Sequence, residues 1–177
     1  MSHAPLVFDR ALVRRRQKRA LAQGAQDFLL AAAVEELLAR LSAAQRDFVR
    51  ALDLGGPSPM LAAGLAKPGR TVLRMSDDPA FAGAGPFVLG DEEALPVDPA
   101  AFDLIASALT LQWVNDLPGA FAQIRRALAP DGLFLACLIG GESLSELRAS
   151  FMQAESELED GASPRVAPFV DVRTLGA

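Results

Sequence analysis

Titratable catalysts are scarce in this chain. Its 177 residues include one histidine, His3, one cysteine, Cys137, and no tyrosine. Such a set cannot supply the Cys and His groups that hold zinc, nor a Ser-His or Cys-His pair for nucleophilic catalysis. One cysteine also excludes a disulfide framework, and Cys137 lies in the apolar run Leu133 to Ile139, where a packing role is expected. Carboxylates are what remain for acid/base work, so a reaction here would rest on positioning a reactive cofactor more than on shuttling protons. No apolar run approaches the length of a membrane span, and the N-terminus lacks the apolar core of a signal peptide, so the expected location is cytoplasmic. With aromatics at 6% and a pI near 4.9, nucleic acid is not the expected partner.

What is present suffices for a core. Hydrophobic residues make up 51% and charged residues 22%, the balance of one soluble domain. Charge is unevenly placed: up to Gln26, Arg10, Arg14, Arg15, Arg16, Lys18 and Arg19 stand against Asp9 alone, a net of +5, which leaves −10 for the remainder of a chain of net −5. A solvated helix face is the plain reading of that basic end, and a contact for an acidic partner or an import-like presequence are the alternatives.

The pattern along the chain alternates strand and helix. Leu30, Val34, Leu37, Leu38 and Leu41 recur at helical spacing, which predicts an amphipathic helix over 26–44. Phe48 to Leu54 is an apolar run ended by Gly55-Gly56, after which Ser58 suits an N-cap and Pro59 a first helical position. Further strands are predicted at Thr71–Met75, Phe87–Leu89, Phe102–Ala108 and Leu133–Ile139, with mostly loop over Ser76–Pro86. Asp116 and Pro118 open a helix carrying Phe121, Ile124 and Leu128, which Pro130-Asp131-Gly132 stops. Ser143 and Glu146 form a capping-box pattern ahead of Leu147, Phe151 and Leu158. This rhythm predicts an α/β fold with a doubly wound, mostly parallel sheet. Its first strand, glycine turn and helix form the sort of corner where such sheets bind ligands, although a plain structural connection needs the same glycines.

Four segments in order, Asp53-Leu54-Gly55, Gly90 to Pro96, Phe102 to Ile105 and Ala127 to Gly132, resemble the class I S-adenosylmethionine-dependent methyltransferases. Within that superfamily, Val7-Phe8-Asp9-Arg10, Leu111 to Pro118 and Gly140 to Arg148 are most similar to the methyltransferase-like assembly factors of respiratory complex I and their bacterial relatives. Gln112-Trp113 and Ser143 to Leu147 are also similar to the malonyl-acyl-carrier-protein methyltransferase of biotin synthesis. The resemblance implies a Rossmann-like domain over 46–177 behind a helical extension over 1–45. It stops where the family would add its last strands, so a C-terminally incomplete fold is expected.

By resemblance the cofactor is S-adenosylmethionine. Asp53, Gly55 and Gly56 would approach its methionine end and Asp91 and Glu92 its adenine, with Asp77 a displaced substitute for the ribose carboxylate and Leu54 and Ala108 also at the cofactor site. Gln112, Trp113 and Asn115 would face the methyl acceptor, a small molecule or a protein, with a respiratory-complex subunit among the candidates. The implied activity is methyl transfer; some members of the assembly-factor group are linked instead to arginine hydroxylation. The chain departs from the family at three places. Pro57 and Pro59 stand where the loop would carry glycines, which fixes φ and removes N–H donors, and Met75 stands where the ribose carboxylate is expected, two residues before Asp77. A non-catalytic binding protein on a degenerate methyltransferase fold is therefore a third reading.

Overall fold

Residues 6–24, 26–158, 161 and 163–175 are described by a computed structural model. His3 lies outside them. Among the described residues five strands form one wholly parallel sheet: β1 (Arg50–Leu54), β2 (Thr71–Ser76), β3 (Phe87–Leu89), β4 (Phe102–Ala108) and β5 (Leu128–Cys137), in the spatial order β3-β2-β1-β4-β5. The chain builds outward from β1 to β3 and then returns to the other side of β1 with β4. That reversal opens a crevice at the carboxyl ends of β1 and β4, where open α/β sheets receive ligands.

Side chains of a strand point alternately to the two faces, and both faces here are covered by helices. On one face Ala51, Leu104, Ala106 and Ala108 pack with Val34, Leu37 and Leu41 of α2 (Phe28–Ala43) and Leu61 and Leu65 of α3 (Met60–Leu65). On the other, Leu52, Leu54, Met75 and Ile105 pack with Ala120, Ile124 and Ala127 of α4 (Leu117–Ala127). Each fully buried leucine or isoleucine contributes roughly 1.5–3 kcal/mol, so these two layers hold the sheet flat against its helices. α4 starts as its sequence implies: Asp116 accepts from Gly119 N–H at 2.9 Å, with proline in the first turn.

Three boundaries differ from expectation for local reasons. α3 begins at Met60, with Pro59 at the N-cap and the Ser58 hydroxyl accepting from Met60 N–H at 3.3 Å. β5 begins at Leu128 and bulges through Asp131, a residue at φ 58°, before re-pairing at Leu133. α5 (Ser145–Leu158) starts after Leu144, whose φ of 61° cannot continue a helix, so Ser143 closes a turn onto Gly140 instead of capping.

The chain divides into two units, residues 1–138 and 139–177. The second holds α5 and a short α6 (Val172–Leu175). Glu155 of α5 accepts from Ser163 N–H at 2.6 Å and from Arg165, which holds its carboxyl below the usual range. Phe151, Met152, Val166 and Phe169 line a cavity of about 470 Å³ within this unit.

Candidate functional site

The crevice is built around the Gly55-Gly56 turn. Both glycines have positive φ, 83° and 87°, a region that side chains rarely tolerate. A Cβ on Gly55 would run into the Glu92 carboxylate and the Thr110 methyl, so glycine is required there for space as well. Gly55 N–H donates to Met75 C=O at 2.9 Å, tying the turn to the end of β2.

Acids gather beside the turn because β2 and β3 end there. Asp77 follows β2 directly, and Asp91 and Glu92 follow β3 after Gly90. Across them lies α1 (Arg10–Ala22), a helix with no buried residue, capped by Asp9, whose carboxylate accepts from Leu12 N–H at 2.9 Å. One face of α1 is bound by charge. Arg10 contacts Glu92, Asp91 at 3.1 Å and Asp77 at 3.9 Å; Arg14 contacts Asp77 at 2.8 Å, and Lys18 contacts Asp78 at 2.5 Å. These three cations, spaced four residues apart, form a single stripe. Arg15, Arg16 and Arg19 face outward and are exposed. The plain reading of a solvated basic face thus applies to half of this helix.

Electrostatics differ along the stripe. Glu92 is only 3% exposed, and burial pushes its carboxyl up while Arg10 pulls it back. Asp78 is held below the usual carboxylate range by hydrogen bonds from Lys18 and Ala80 N–H.

The segment ahead of α1 is stapled to the mouth of the crevice. Asn115 Oδ1 accepts from Val7 and Phe8 N–H, both at 2.8 Å, and Phe8 meets Trp113 edge to face at 5.6 Å between ring centroids. Glu93 in turn accepts from Asn115 N–H.

Of the residues expected at the site, Gly56, Asp77, Glu92 and Trp113 line the crevice together with Arg10, Ser76 and Thr110. Asp91 stands at its edge, 37% exposed and bound to Arg10. Leu54 and Ala108 are buried in the sheet beneath it. Asp53 is also beneath: its carboxylate is spent on Arg74 at 2.5 Å and on Ala62 N–H, and burial raises its pKa to about 6 against the pull of Arg74. Gln112 is buried, donating to Leu109 C=O at 2.7 Å. Asn115 serves the N-terminal segment as described. Cys137 is half-buried, and burial pushes its thiol up.

Sequence reasoning missed the parts played by Arg10, Glu93 and Arg74. The signal for Arg74 was available. A charge inside the apolar strand Thr71–Ser76 demands a buried partner, and Asp53 is the acid in the neighbouring strand.

The donor set suits a cofactor that is cationic and carries hydroxyls and a carboxylate. Three acids offer acceptors, and Arg10 Nη1 is a buried donor with no partner among the described residues. Room is the constraint. With α1 laid across it the crevice retains about 20 Å³, enough for about one water molecule and too little for a ligand of nucleoside size.

Residues 52–136 match the methyltransferase domain family. The chain is 37% identical over 188 residues to the mitochondrial arginine-hydroxylase NDUFAF5 of Danio rerio, an alignment covering 96% of this chain and 56% of that protein. It is 44% identical over 89 residues to a malonyl-[acyl-carrier protein] O-methyltransferase of Xylella fastidiosa, covering 50% of this chain and 28% of that one. Among solved structures, a SAM-dependent methyltransferase of Thermotoga maritima superposes with a TM-score of 0.59 at 16% identity, over 94% of this chain and 74% of the other. The chain spans about half the length of the curated relatives it matches. The chain is thus similar to the methyltransferase domain over residues 52–136, shares the fold of solved methyltransferases and is similar in sequence to both of these protein groups. No helix among the described residues is long and apolar enough to cross a membrane.

Proposed function

We propose that this chain is an S-adenosylmethionine-dependent methyltransferase. The observation that carries the reading is the coincidence of the methyltransferase-domain match, residues 52–136, with the crevice at the Gly55-Gly56 turn. Gly55 and Gly56 would let the backbone approach the ligand, Asp77 and Asp91 would accept from its hydroxyl and amino groups, and Glu92 would supply negative charge beside them. When bound, the cofactor supplies a methyl group already activated on a sulfonium. The protein's work is then positional: to hold an acceptor in line and keep water out. Phe8 and Trp113 provide an apolar cover for that purpose at the mouth. No strong base lies in the crevice, which suits an acceptor that is nucleophilic without losing a proton, such as a carboxylate. Calorimetric titration of S-adenosylmethionine and of its demethylated product into the protein tests this. Saturable binding that Asp91→Ala weakens is expected; absence of binding would remove the reading.

A second reading is favoured by the alignment with arginine-hydroxylases over 96% of the chain. On it the substrate is an arginine of a protein partner, with a respiratory-complex subunit as the candidate, and affinity capture followed by mass spectrometry tests it. A third, a binding protein on a degenerate fold, is favoured by Pro57, Pro59 and the filled crevice. It predicts partner capture without cofactor binding. We place the protein in the cytoplasm, a reading that cell fractionation tests.

A further inference from the structure

β2 carries a cation through the middle of the molecule. Arg74 is 2% exposed, and its register partner on β1, Asp53, is 1% exposed. Full burial of a guanidinium is costly unless its donors are engaged. Here they are engaged by three separate segments. Nη1 donates to Asp53 Oδ2 at 2.5 Å, Nη2 to Gly56 C=O at 2.6 Å and Nε to Phe81 C=O at 2.7 Å. Phe81 ends a single 3-10 turn, Pro79–Phe81, between β2 and β3. Asp53 reaches on to Ala62 N–H of α3. The loop after the 3-10 turn also packs on this assembly, because Gly83 leaves no space for a Cβ beside Pro59.

The contact with Gly56 is the informative one. Its carbonyl belongs to the peptide that joins Gly56 to Pro57, which has no N–H. Nothing on the far side of that peptide can donate to fix it, and both glycines have positive φ. The turn is therefore held from below: the planar fork of Arg74 makes the short contact to the Gly56 carbonyl, Ser76 Oγ reaches the same oxygen at 3.5 Å, and Gly55 N–H is tied to Met75 C=O.

We propose that Arg74 is a positioning residue for the methyl-donor site: it holds the Gly55-Gly56 turn in its ligand-facing conformation through the Gly56 carbonyl and Asp53. The proposal rests on the methyltransferase reading above. It accounts for a glycine turn that keeps its shape with prolines at positions 57 and 59.

The test compares wild type, Arg74→Lys and the double variant Arg74→Met with Asp53→Leu, which removes the pair without leaving a lone buried charge. Leu65→Ala serves as a variant that loosens the core without touching the turn. Three quantities are read: melting temperature, cofactor affinity by calorimetry, and amide hydrogen exchange at Gly55, Gly56, Ser58, Met60 and Leu61 in ligand-free protein. A lysine cannot span three acceptors, so Arg74→Lys should exchange at least tenfold faster at those amides and bind at least tenfold more weakly. Leu65→Ala should lower the melting temperature and change neither. The double variant should behave as Arg74→Lys does, and it decides the matter if Arg74→Lys does not fold. If the arginine variants resemble Leu65→Ala, with a lower melting temperature but unaltered exchange and affinity, Arg74 is only structural and the proposal falls. If wild type itself binds no cofactor, the methyltransferase reading fails first, and does so before any variant is measured.

Discussion

Two arginines flank the same glycine turn and use the same chemistry under different solvation. Arg74 lies beneath it in a dry layer of the sheet, paired with Asp53 and two carbonyls. Arg10 lies above it, 16% exposed, shared among Glu92, Asp91 and Asp77 on a helix that buries nothing. The lower network is part of the core, because water cannot replace it. The upper one is a latch, because water and salt can. On the methyltransferase reading this division gives the crevice a fixed floor and a cover held by ion pairs, by the Asn115 hydrogen bonds and by the Phe8–Trp113 contact.

The comparison would break most visibly at the floor. Asp53→Ala leaves a buried guanidinium with one partner gone, and should cost about 3–5 kcal/mol in chemical denaturation, with little change between low and high salt. A loss below about 1 kcal/mol would mean that water reaches Arg74. Gly55→Ala comes next: a side chain at φ 83° beside Glu92 and Thr110 should cost about 1–3 kcal/mol and abolish cofactor binding.

Acid sharpens the contrast within the latch itself. Glu92 has a raised pKa in the folded chain, so its contribution to stability is greatest below the unfolded value and declines as pH rises through the folded one. Asp78 is shifted down, so its contribution is present above the ordinary carboxylate value and is lost as pH falls through the folded one. On acidification Arg10 should therefore lose its Glu92 partner first, while Lys18 keeps Asp78. The single tryptophan, Trp113, sits against Phe8 at the Arg10 end. Its emission should change at a higher pH than hydrogen exchange near Lys18. Simultaneous transitions would show that α1 is not held in two separable parts.

Smaller effects complete the series. Arg14→Ala removes a partly exposed ion pair worth about 0.2–1 kcal/mol, an amount that should vanish in 1 M salt, where the screening length is about 3 Å. Arg40→Ala, which removes an exposed pair with Glu36 one turn away on α2, should cost about 0.3–0.5 kcal/mol and leave the crevice untouched.

The strands were legible because burial on both faces of a parallel sheet writes continuous apolar runs, as at Phe102–Ala108. Helix ends were less so, since Leu144 adopts positive φ without being glycine, and its sequence gives no warning. At the crevice, Gly55 and Gly56 were legible as a turn ending an apolar strand, and Asp91 and Glu92 were named through the resemblance to the methyltransferases. What Asn115 does could not be read, because it is claimed by Val7 and Phe8, distant in the chain, whereas the pairing of Asp53 with Arg74 was signalled by a charge inside an apolar strand.

By itself, then, the amino-acid sequence determined the parallel sheet and the glycine turn after its first strand, since these follow from local periodicity and from residue chemistry, while the acids beside the turn were named through the resemblance. Only the tertiary structure decided which cation meets which carboxylate. The register of β1 and β2 brings Arg74 under the turn, and the path of the N-terminus brings Arg10 over it. Ion pairs form between whichever charges packing leaves adjacent, and sequence separation carries no record of that adjacency.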